Sequence, residues 1–418
     1  MTKLNIVRDE STVDKIIQFC ENTDPARYNV MAVYGQAGTG KTTMLKKVSE
    51  CLRQKFNIAA PTGIAASRIE QMGIKSFLAD EPKTIHRLLE YTKGEKDEYG
   101  EYIKGKEPGP KRNKYNPLEN HITLIDEASM LGRELYRNLI NAMPYSYKIV
   151  LFGDERQLPP AQEKGNSVFL DLLNDYDAPN IELTKVHRQE EGGGIISNAH
   201  AINRGEIPKD NGKDFIVKDL PLMRNSNVFF KDISKHININ DYIESNYQVI
   251  CPTNAYCSKL NKFFQERFSE NDPNKNYINC TFSDGGRGRL YEGDKIVFTE
   301  NYYDLGFYNG NTGHVKEIIY NNVIYFRLEG SNKTITYPIP KMKKNQKHPR
   351  LKILLGYVVT THKTQSKEYE EILAIYANDI GGAGNRRNLY TAVTRAKKKS
   401  LLLAEKYKLP EIIKNNGF

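Results

Sequence analysis

Gly35-Gln36-Ala37-Gly38-Thr39-Gly40-Lys41-Thr42-Thr43 carries the residue types that hold a polyphosphate, at the spacing G-x-x-x-x-G-K-[ST]. It follows an apolar run, Val30 to Tyr34, and precedes a helical stretch. Glycines there let backbone N–H groups converge on phosphate oxygens, while Lys41 reaches the β- and γ-phosphates and the Thr42 hydroxyl ligates Mg²⁺. The alternative is a glycine-rich turn, which the strand-then-helix context argues against. Gly35 to Thr43 are therefore the candidate ATP contacts.

Two further polar groups follow apolar runs. Asp126-Glu127 ends Ile122 to Ile125. The first carboxylate would hold Mg²⁺ and the second would orient or deprotonate the attacking water. An N-cap role for Asp126, ahead of Ala128-Ser129, is the competing assignment. Gly153-Asp154-Glu155-Arg156-Gln157-Leu158-Pro159-Pro160 follows the next run. The Gln157 amide offers donor and acceptor together, which suits sensing a γ-phosphate; a turn before a proline stop explains the same residues.

These groups need elements to position them. Residues 1–190 alternate short apolar strands with helical stretches, the pattern of a parallel α/β sheet. The expected strands are Val30 to Tyr34, Asn57 to Ala60, Ile122 to Ile125 and Lys148 to Phe152. Residues 92–117 interrupt the pattern with a polar, Gly- and Pro-rich stretch, expected to be an exposed hairpin or loop. Within it Tyr99 and Tyr102 flank Gly100, placing aromatic faces where a base pair could stack; two incidental tyrosines on a loop are the alternative.

A second α/β pattern occupies 191–289 and 351–418, with strands expected at Gln248 to Cys251, Gly356 to Val359, Ile372 to Tyr376 and Leu401 to Ala404. Residues 290–350 read as all-β, with alternating strands at Asp294 to Thr299, Gly313 to Ile319, Val323 to Leu328 and Thr334 to Ile339. That spacing suits a small barrel.

Composition bounds the class. A chain of 418 residues exceeds one compact core, and 39% hydrophobic with 27% charged residues fits a globular protein. Mean hydropathy is −0.62 and no apolar run approaches the ~20 residues of a membrane span. Met1 to Asn5 does not resemble a signal peptide, so a cytoplasmic location is expected. Cys20, Cys51, Cys251, Cys257 and Cys280 form no C-x-x-C pair, and reduced thiols without metal are expected. A net charge of +10 points towards nucleic acid, though a solvated basic face would give the same balance.

With these blocks in place, the chain from Gly35 to Arg395 resembles superfamily 1 DNA helicases of the RecD/Dda/TraI type, the 5′ to 3′ branch. The Asp-Glu-Ala-Ser block at 126–129 and the block at 153–160 are similar to that family's second and third motifs. Leu183 to Gln189 resembles the motif whose arginine, here Arg188, reaches the γ-phosphate, and Tyr390 to Ala396 the last motif, which supplies Arg395. Guanidinium is planar, always charged and able to stabilise a transferring phosphoryl group.

On the nucleic-acid side, Ala60 to Ala66 (with Pro61 and Thr62) and Thr84-Ile85-His86-Arg87 resemble segments that hold the strand's backbone. Cys251-Pro252-Thr253-Asn254 and Val359 to Gln365 (with Thr361, His362 and Lys363) resemble their partners in the second domain. For any single threonine, a strand end or helix cap is the ordinary alternative. Residues 293–313 resemble the family's SH3-like barrel, and 92–117 fall where relatives carry a strand-separating pin. The chain departs from the pattern at Ser366, where the family usually has Gly, and lacks a glutamine in Asp9 to Asp14, Gln18 coming later.

The resemblance implies two RecA-like domains with ATP in the cleft between them and single-stranded DNA across their tops. Lys41, Thr42 and Asp126 would hold MgATP, Glu127 would polarise water, and Gln157 and Gln365 would couple nucleotide state to strand grip. Single strands and duplex junctions are the implied partners, alongside replication or recombination proteins, with no oligomer required. The rival readings are a superfamily 1 RNA helicase and a nucleotide-gated binding protein that never translocates.

Overall fold

The computed structural model describes residues 9–22, 28–95, 107–160, 167–185, 193–220, 247–270, 272–302, 305–319, 323–330, 333–342, 346–376, 384–405 and 407–416. The chain separates into two compact units, divided between Gly192 and Gly193.

In the first unit the strands are β1 (Val30–Tyr34), β2 (Phe56–Ala60), β3 (Lys83–Thr84), β4 (Ile122–Ile125), β5 (Lys148–Gly153) and β6 (Asn180–Glu182). They form one sheet in the order β3-β2-β4-β5-β1-β6, every pairing parallel. Helices α1 (Asp9–Glu21), α2 (Lys41–Cys51), α3 (Gly63–Gln71), α4 (Ile85–Leu88), α5 (Arg133–Ala142) and α6 (Val168–Asn174) complete it.

Side chains alternate across a strand, so β1 sends Met31 and Val33 into one core with Leu45, Val48, Ile58 and Ile69. Val30 and Ala32 enter a second core with Leu139, Leu151 and Phe169. A sheet buried on both faces accepts uninterrupted apolar strands, which is why β1, β4 and β5 read as continuous runs.

The second unit holds a parallel sheet in the order β16-β8-β17-β18-β7, from β7 (Phe215–Asp219), β8 (Tyr247–Cys251), β16 (Val358–Thr360), β17 (Tyr369–Tyr376) and β18 (Ala396–Ala404). Its helices are α7 (Gly194–Arg204), α8 (Asn254–Gln265), α9 (Arg386–Val393) and α10 (Leu409–Lys414). Between β8 and β16 lie a hairpin, β9 (Tyr277–Thr281) and β10 (Arg287–Tyr291), and β11 (Lys295–Phe298), β12 (Thr312–Ile319), β13 (Val323–Leu328), β14 (Thr334–Pro338) and β15 (Ile353–Leu355).

This last group corrects the expected barrel. It is an antiparallel five-stranded sheet in the order β14-β13-β12-β11-β15, and among the described residues no ladder joins β14 to β15. Pro338 ends β14 and has no N–H to extend one. In its place the Lys352 N–H donates to the Tyr337 hydroxyl (3.0 Å). The last strand also runs beyond residue 350, and Gly356, after it, donates to the Lys295 carbonyl at 2.7 Å. A Cβ at Gly356 would lie 2.6 Å from the Ile296 carbonyl carbon, so the passage from β15 into the parallel sheet requires glycine.

A buried ion pair ties the antiparallel five-stranded sheet of this unit to the parallel one. Lys295, 1% exposed, meets Glu329 at 2.8 Å and donates to the Tyr247 carbonyl at the start of β8 (3.2 Å). Burial opposes ionisation of Glu329, but the Lys295 ammonium and hydrogen bonds from His314, Lys295 and Thr312 outweigh it and hold the carboxyl well below its usual range. Removing one partner of such a pair strands the other charge. Lys295→Met is expected to cost about 3–5 kcal/mol in urea unfolding at neutral pH. Because the folded-state value is depressed, the pair's contribution is present above the ordinary carboxylate range and is lost on acidification. Wild type and variant should therefore converge in stability as the pH falls below about 4.

Candidate nucleotide and nucleic-acid site

In the first unit the loops after β4, β5 and β1 emerge side by side at the carboxyl edge of the sheet, where open α/β sheets bind ligands. The turn after β1 is tightly constrained. Gly35 donates to the Gly153 carbonyl (3.3 Å), and a Cβ there would sit 2.5 Å from Thr39 Oγ1 and 2.6 Å from the Leu183 carbonyl oxygen. Gly38 (φ 85°) and Gly40 (φ 80°) take left-handed conformations.

Gly40 caps α2 without a side-chain hydrogen bond, so no capping side chain serves the first-turn N–H groups of that helix. Lys41 Nζ folds over the loop, donating to the Gly35 (2.7 Å) and Gln36 (2.8 Å) carbonyls. Gln36 Oε1 is buried and has no hydrogen-bond partner among the described residues. Amides at a helix start, an adjacent ammonium and an orphaned acceptor fit a nucleoside triphosphate. Thr42, half-buried, and Thr43, exposed, follow in the first turn.

Asp126 donates its N–H to the Ala59 carbonyl (3.0 Å) and accepts the Glu127 N–H on Oδ1 (2.9 Å). The expected alternative, Asp126 as N-cap, does not arise: Glu127 holds that position, with φ 53°, and caps nothing with its side chain. Left-handed backbone in a non-glycine residue costs strain and persists only where neighbours over-determine it. Glu127 lies within 3.9 Å of Arg68 on α3. Asp154, fully buried, accepts the Arg156 N–H (3.0 Å) and one Gln157 side-chain N–H (3.4 Å). Gln157 Oε1 and Ser129 Oγ are buried without partners among the described residues, acceptors suited to water or a metal-bound ligand.

The proposed strand-binding threonines share a geometry. Thr62 caps α3 by accepting the Ala65 N–H (3.2 Å), Thr84 caps α4 by accepting that of Arg87 (3.1 Å), and Thr253 caps α8 by accepting that of Tyr256 (3.3 Å). Each hydroxyl is used as an acceptor, so its own proton can be donated to a phosphate. Pro61 is half-buried, and His86 and Asn254 are exposed. His86 also meets the Tyr91 ring edge-on, at 4.8 Å. Partial desolvation by neighbouring residues lowers the pKa values of both His86 and His362 from the ordinary imidazole value.

Thr361 requires correction. It is fully buried, and its hydroxyl donates to Asn388 Oδ1 (2.7 Å), so it braces the second unit's core rather than a strand. Its neighbours His362 and Lys363 remain half-exposed. Gln365 is 5% exposed and precedes Ser366, whose φ is 65°. Serine has thus taken a backbone conformation that glycine would favour, and the departure from the family pattern carries strain. Arg395, 4% exposed, donates to the Thr391 carbonyl (2.9 Å), the Lys367 carbonyl (3.3 Å) and Thr394 Oγ1 (3.1 Å).

Arg188, Tyr99 and Tyr102 lie outside the described residues. The foot of the 92–117 insert is described: Thr92 donates to the Gly109 carbonyl (2.9 Å), and Lys111 and Arg112 both donate to that of Leu89. Arg68 was not singled out from the sequence. A basic residue on α3 carries no spacing signal, because its partner comes from another strand.

Known proteins resemble segments of both units. A family described as an AAA domain matches residues 18–215, and the UvrD-like helicase C-terminal domain matches 355–403. The chain is 26% identical over 384 residues to the ATP-dependent RecD2 DNA helicase of Deinococcus radiodurans, covering 89% of this chain and 46% of that protein. It is 25% identical over 452 residues to the RecBCD enzyme subunit RecD of Buchnera aphidicola (Schizaphis graminum), covering 90% of this chain and 71% of the relative. The crystal structure of Pif1 helicase from Bacteroides in complex with ADP-AlF3 and ssDNA superposes with a TM-score of 0.60 at 21% identity, covering 97% of this chain and 94% of that one.

The fold is that of two RecA-like α/β units, each built on a parallel sheet. In sequence the chain is similar to superfamily 1 helicases of the RecD/Dda type, and it spans 46% of the length of the RecD2 relative.

The strain at Ser366 is open to test. Ser366→Gly is expected to be neutral or stabilising by up to about 1 kcal/mol, relief of left-handed strain being offset by glycine's extra backbone entropy. Ser366→Val should destabilise by about 1–3 kcal/mol. Urea unfolding of the three proteins measures both.

Proposed function

We propose that this chain is an ATP-hydrolysing motor that moves 5′ to 3′ along single-stranded DNA and unwinds duplex DNA. The observation that carries this reading is the carboxyl edge of the first sheet, where adjacent strands β4, β5 and β1 deliver Asp126-Glu127, Asp154 to Gln157 and the Gly35 to Thr42 loop together. The names of the relatives support it: an ATP-dependent DNA helicase, and a Pif1 helicase crystallised with ADP-AlF3 and single-stranded DNA.

On this reading Lys41 exchanges its carbonyl partners for phosphate oxygens, and the amides of the loop bind the remainder. Thr42 and Asp126 would hold Mg²⁺, which when bound offsets phosphate charge. Glu127 orients and polarises the attacking water. Arg188 and Arg395 stabilise the charge that develops; Arg395 retains guanidinium donors beyond the three it has used.

Gln157 and Gln365 pass nucleotide state to the strand-holding groups Thr62, Thr84, His86, Thr253, Asn254, His362 and Lys363. These groups are hydroxyls, amides, imidazole rings and one ammonium, which bind backbone without reading sequence. The insert at 92–117 acts as the separating pin, its two arms held together at Thr92 and Gly109.

Lys41→Ala should abolish ATP hydrolysis while strand binding and fold survive; turnover within a few-fold of wild type would refute the phosphate-site assignment. Forked DNA with a 5′ tail should be unwound in preference to a 3′-tailed fork, and oligo-dT should stimulate ATPase more than oligo-U. The reverse preferences would point to the opposite polarity or to RNA. Replacing residues 97–103 with a Gly-Ser linker should leave strand-stimulated ATPase nearly normal and sharply slow unwinding. Undiminished unwinding would remove the pin assignment.

A further inference from the structure

The Arg68–Glu127 contact is unexpected for a carboxylate that must accept a proton from water. The backbone of Glu127 is fixed on three sides: Asp126 donates to Ala59, the Glu127 N–H donates to Asp126 Oδ1, and the Glu127 carbonyl accepts the Met130 N–H (3.0 Å). Only side-chain torsions remain to decide where the carboxylate lies. Arg68 Nη1 stands 3.9 Å from Glu127 Oε1, a charge contact longer than a hydrogen bond. At that distance the guanidinium attracts the carboxylate and biases where it rests.

The geometry of α3 gives the contact a second end. Arg68 belongs to the same short helix whose N-cap is Thr62, and Ala65, Ala66 and Ile69 of that helix are buried against the sheet. The helix is therefore a rigid lever of about 9 Å between cap and arginine. The Arg68 side chain is 37% exposed, whereas that of Glu127 is 11% exposed. The arginine is thus the more accessible end of the contact, and a strand phosphate arriving at Thr62 would be a second anion within reach of the same helix.

We infer that Arg68 is a positioning residue that restrains Glu127 in the strand-free protein and transfers to the strand's phosphate backbone when DNA engages α3. The inference rests on the proposed roles of Glu127 and Thr62. Hydrolysis would then be slow without a strand because the water-polarising carboxylate is paired. It would be fast with one because the arginine has a new partner and the charge balance is kept.

ATP turnover by Arg68→Ala, with and without saturating oligo-dT, tests it. The strand-free rate should rise about 3- to 10-fold while the strand-saturated rate stays within about twofold of wild type, so the stimulation ratio falls. Arg68→Lys, which keeps the charge, should give an intermediate strand-free rate, and it stands in should the alanine variant fail to fold.

A parallel fall in both rates would overturn the inference and make Arg68 a support for catalysis. An unchanged strand-free rate with weaker oligo-dT half-saturation would overturn it too, leaving a simple backbone contact. Glu127→Gln separates the two levels: if inactive while Arg68→Ala is silent, only the restraint fails. If Glu127→Gln retains hydrolysis, the underlying assignment fails and the restraint with it.

Discussion

The turn after β1 is the constraint on which the first unit depends. Six residues of backbone must leave a strand buried on both faces, pass over the end of the sheet and enter α2. Gly35 is pressed between Thr39 and Leu183, and Gly38 and Gly40 are left-handed, so three positions admit no side chain at low cost. The place of β1 between β5 and β6 suits this, because the flanking segments hold the turn from either side: the Gly153 carbonyl accepts the Gly35 N–H, and the Leu183 N–H donates to the Tyr34 carbonyl. The carboxylates after β4 and the glutamine after β5 then lie at the same edge because all of these strands run parallel.

Much of this was legible because it is local. A strand buried on both faces writes a continuous apolar run, and Val30–Tyr34, Ile122–Ile125 and Lys148–Gly153 stand almost where the runs stand. The phosphate loop was legible for the same reason: its chemistry is backbone, specified by glycines within one segment. The short edge strands were not. Lys83–Thr84 and Asn180–Glu182 are two and three residues long, carry polar side chains, and exist because a neighbour offers a ladder. Thr361 and Arg68 failed for a related reason, since Asn388 and Glu127 reach them from distant segments.

The second unit shows how a departure from a pattern is absorbed. Ser366 makes a left-handed turn after Gln365 and is 2% exposed, a buried conformation to which serine is ill suited. The antiparallel sheet inserted between β8 and β16 is fastened by specific buried contacts: Lys295 to Glu329 and Tyr247, Gly356 against Ile296, and Asp294 accepting from Gln265 (2.6 Å) and the Tyr357 hydroxyl (2.8 Å). Apolar packing alone tolerates sliding, whereas these contacts define one register. The alternating pattern of the segment announced antiparallel strands, but it held no information on closure, which Pro338 and the Tyr337 hydroxyl decide.

The three capping threonines have a consequence for how such a protein could be tuned. In each, a single oxygen both finishes a helix and, on the proposed reading, offers its proton to the strand. Affinity and local rigidity are therefore written into the same atom. A substitution that removes the oxygen frays α3, α4 or α8 as it releases the phosphate, so a looser hold is necessarily a softer one. Selection for faster or slower stepping would have to work elsewhere, on the lysine and histidine side chains whose loss leaves the helices intact.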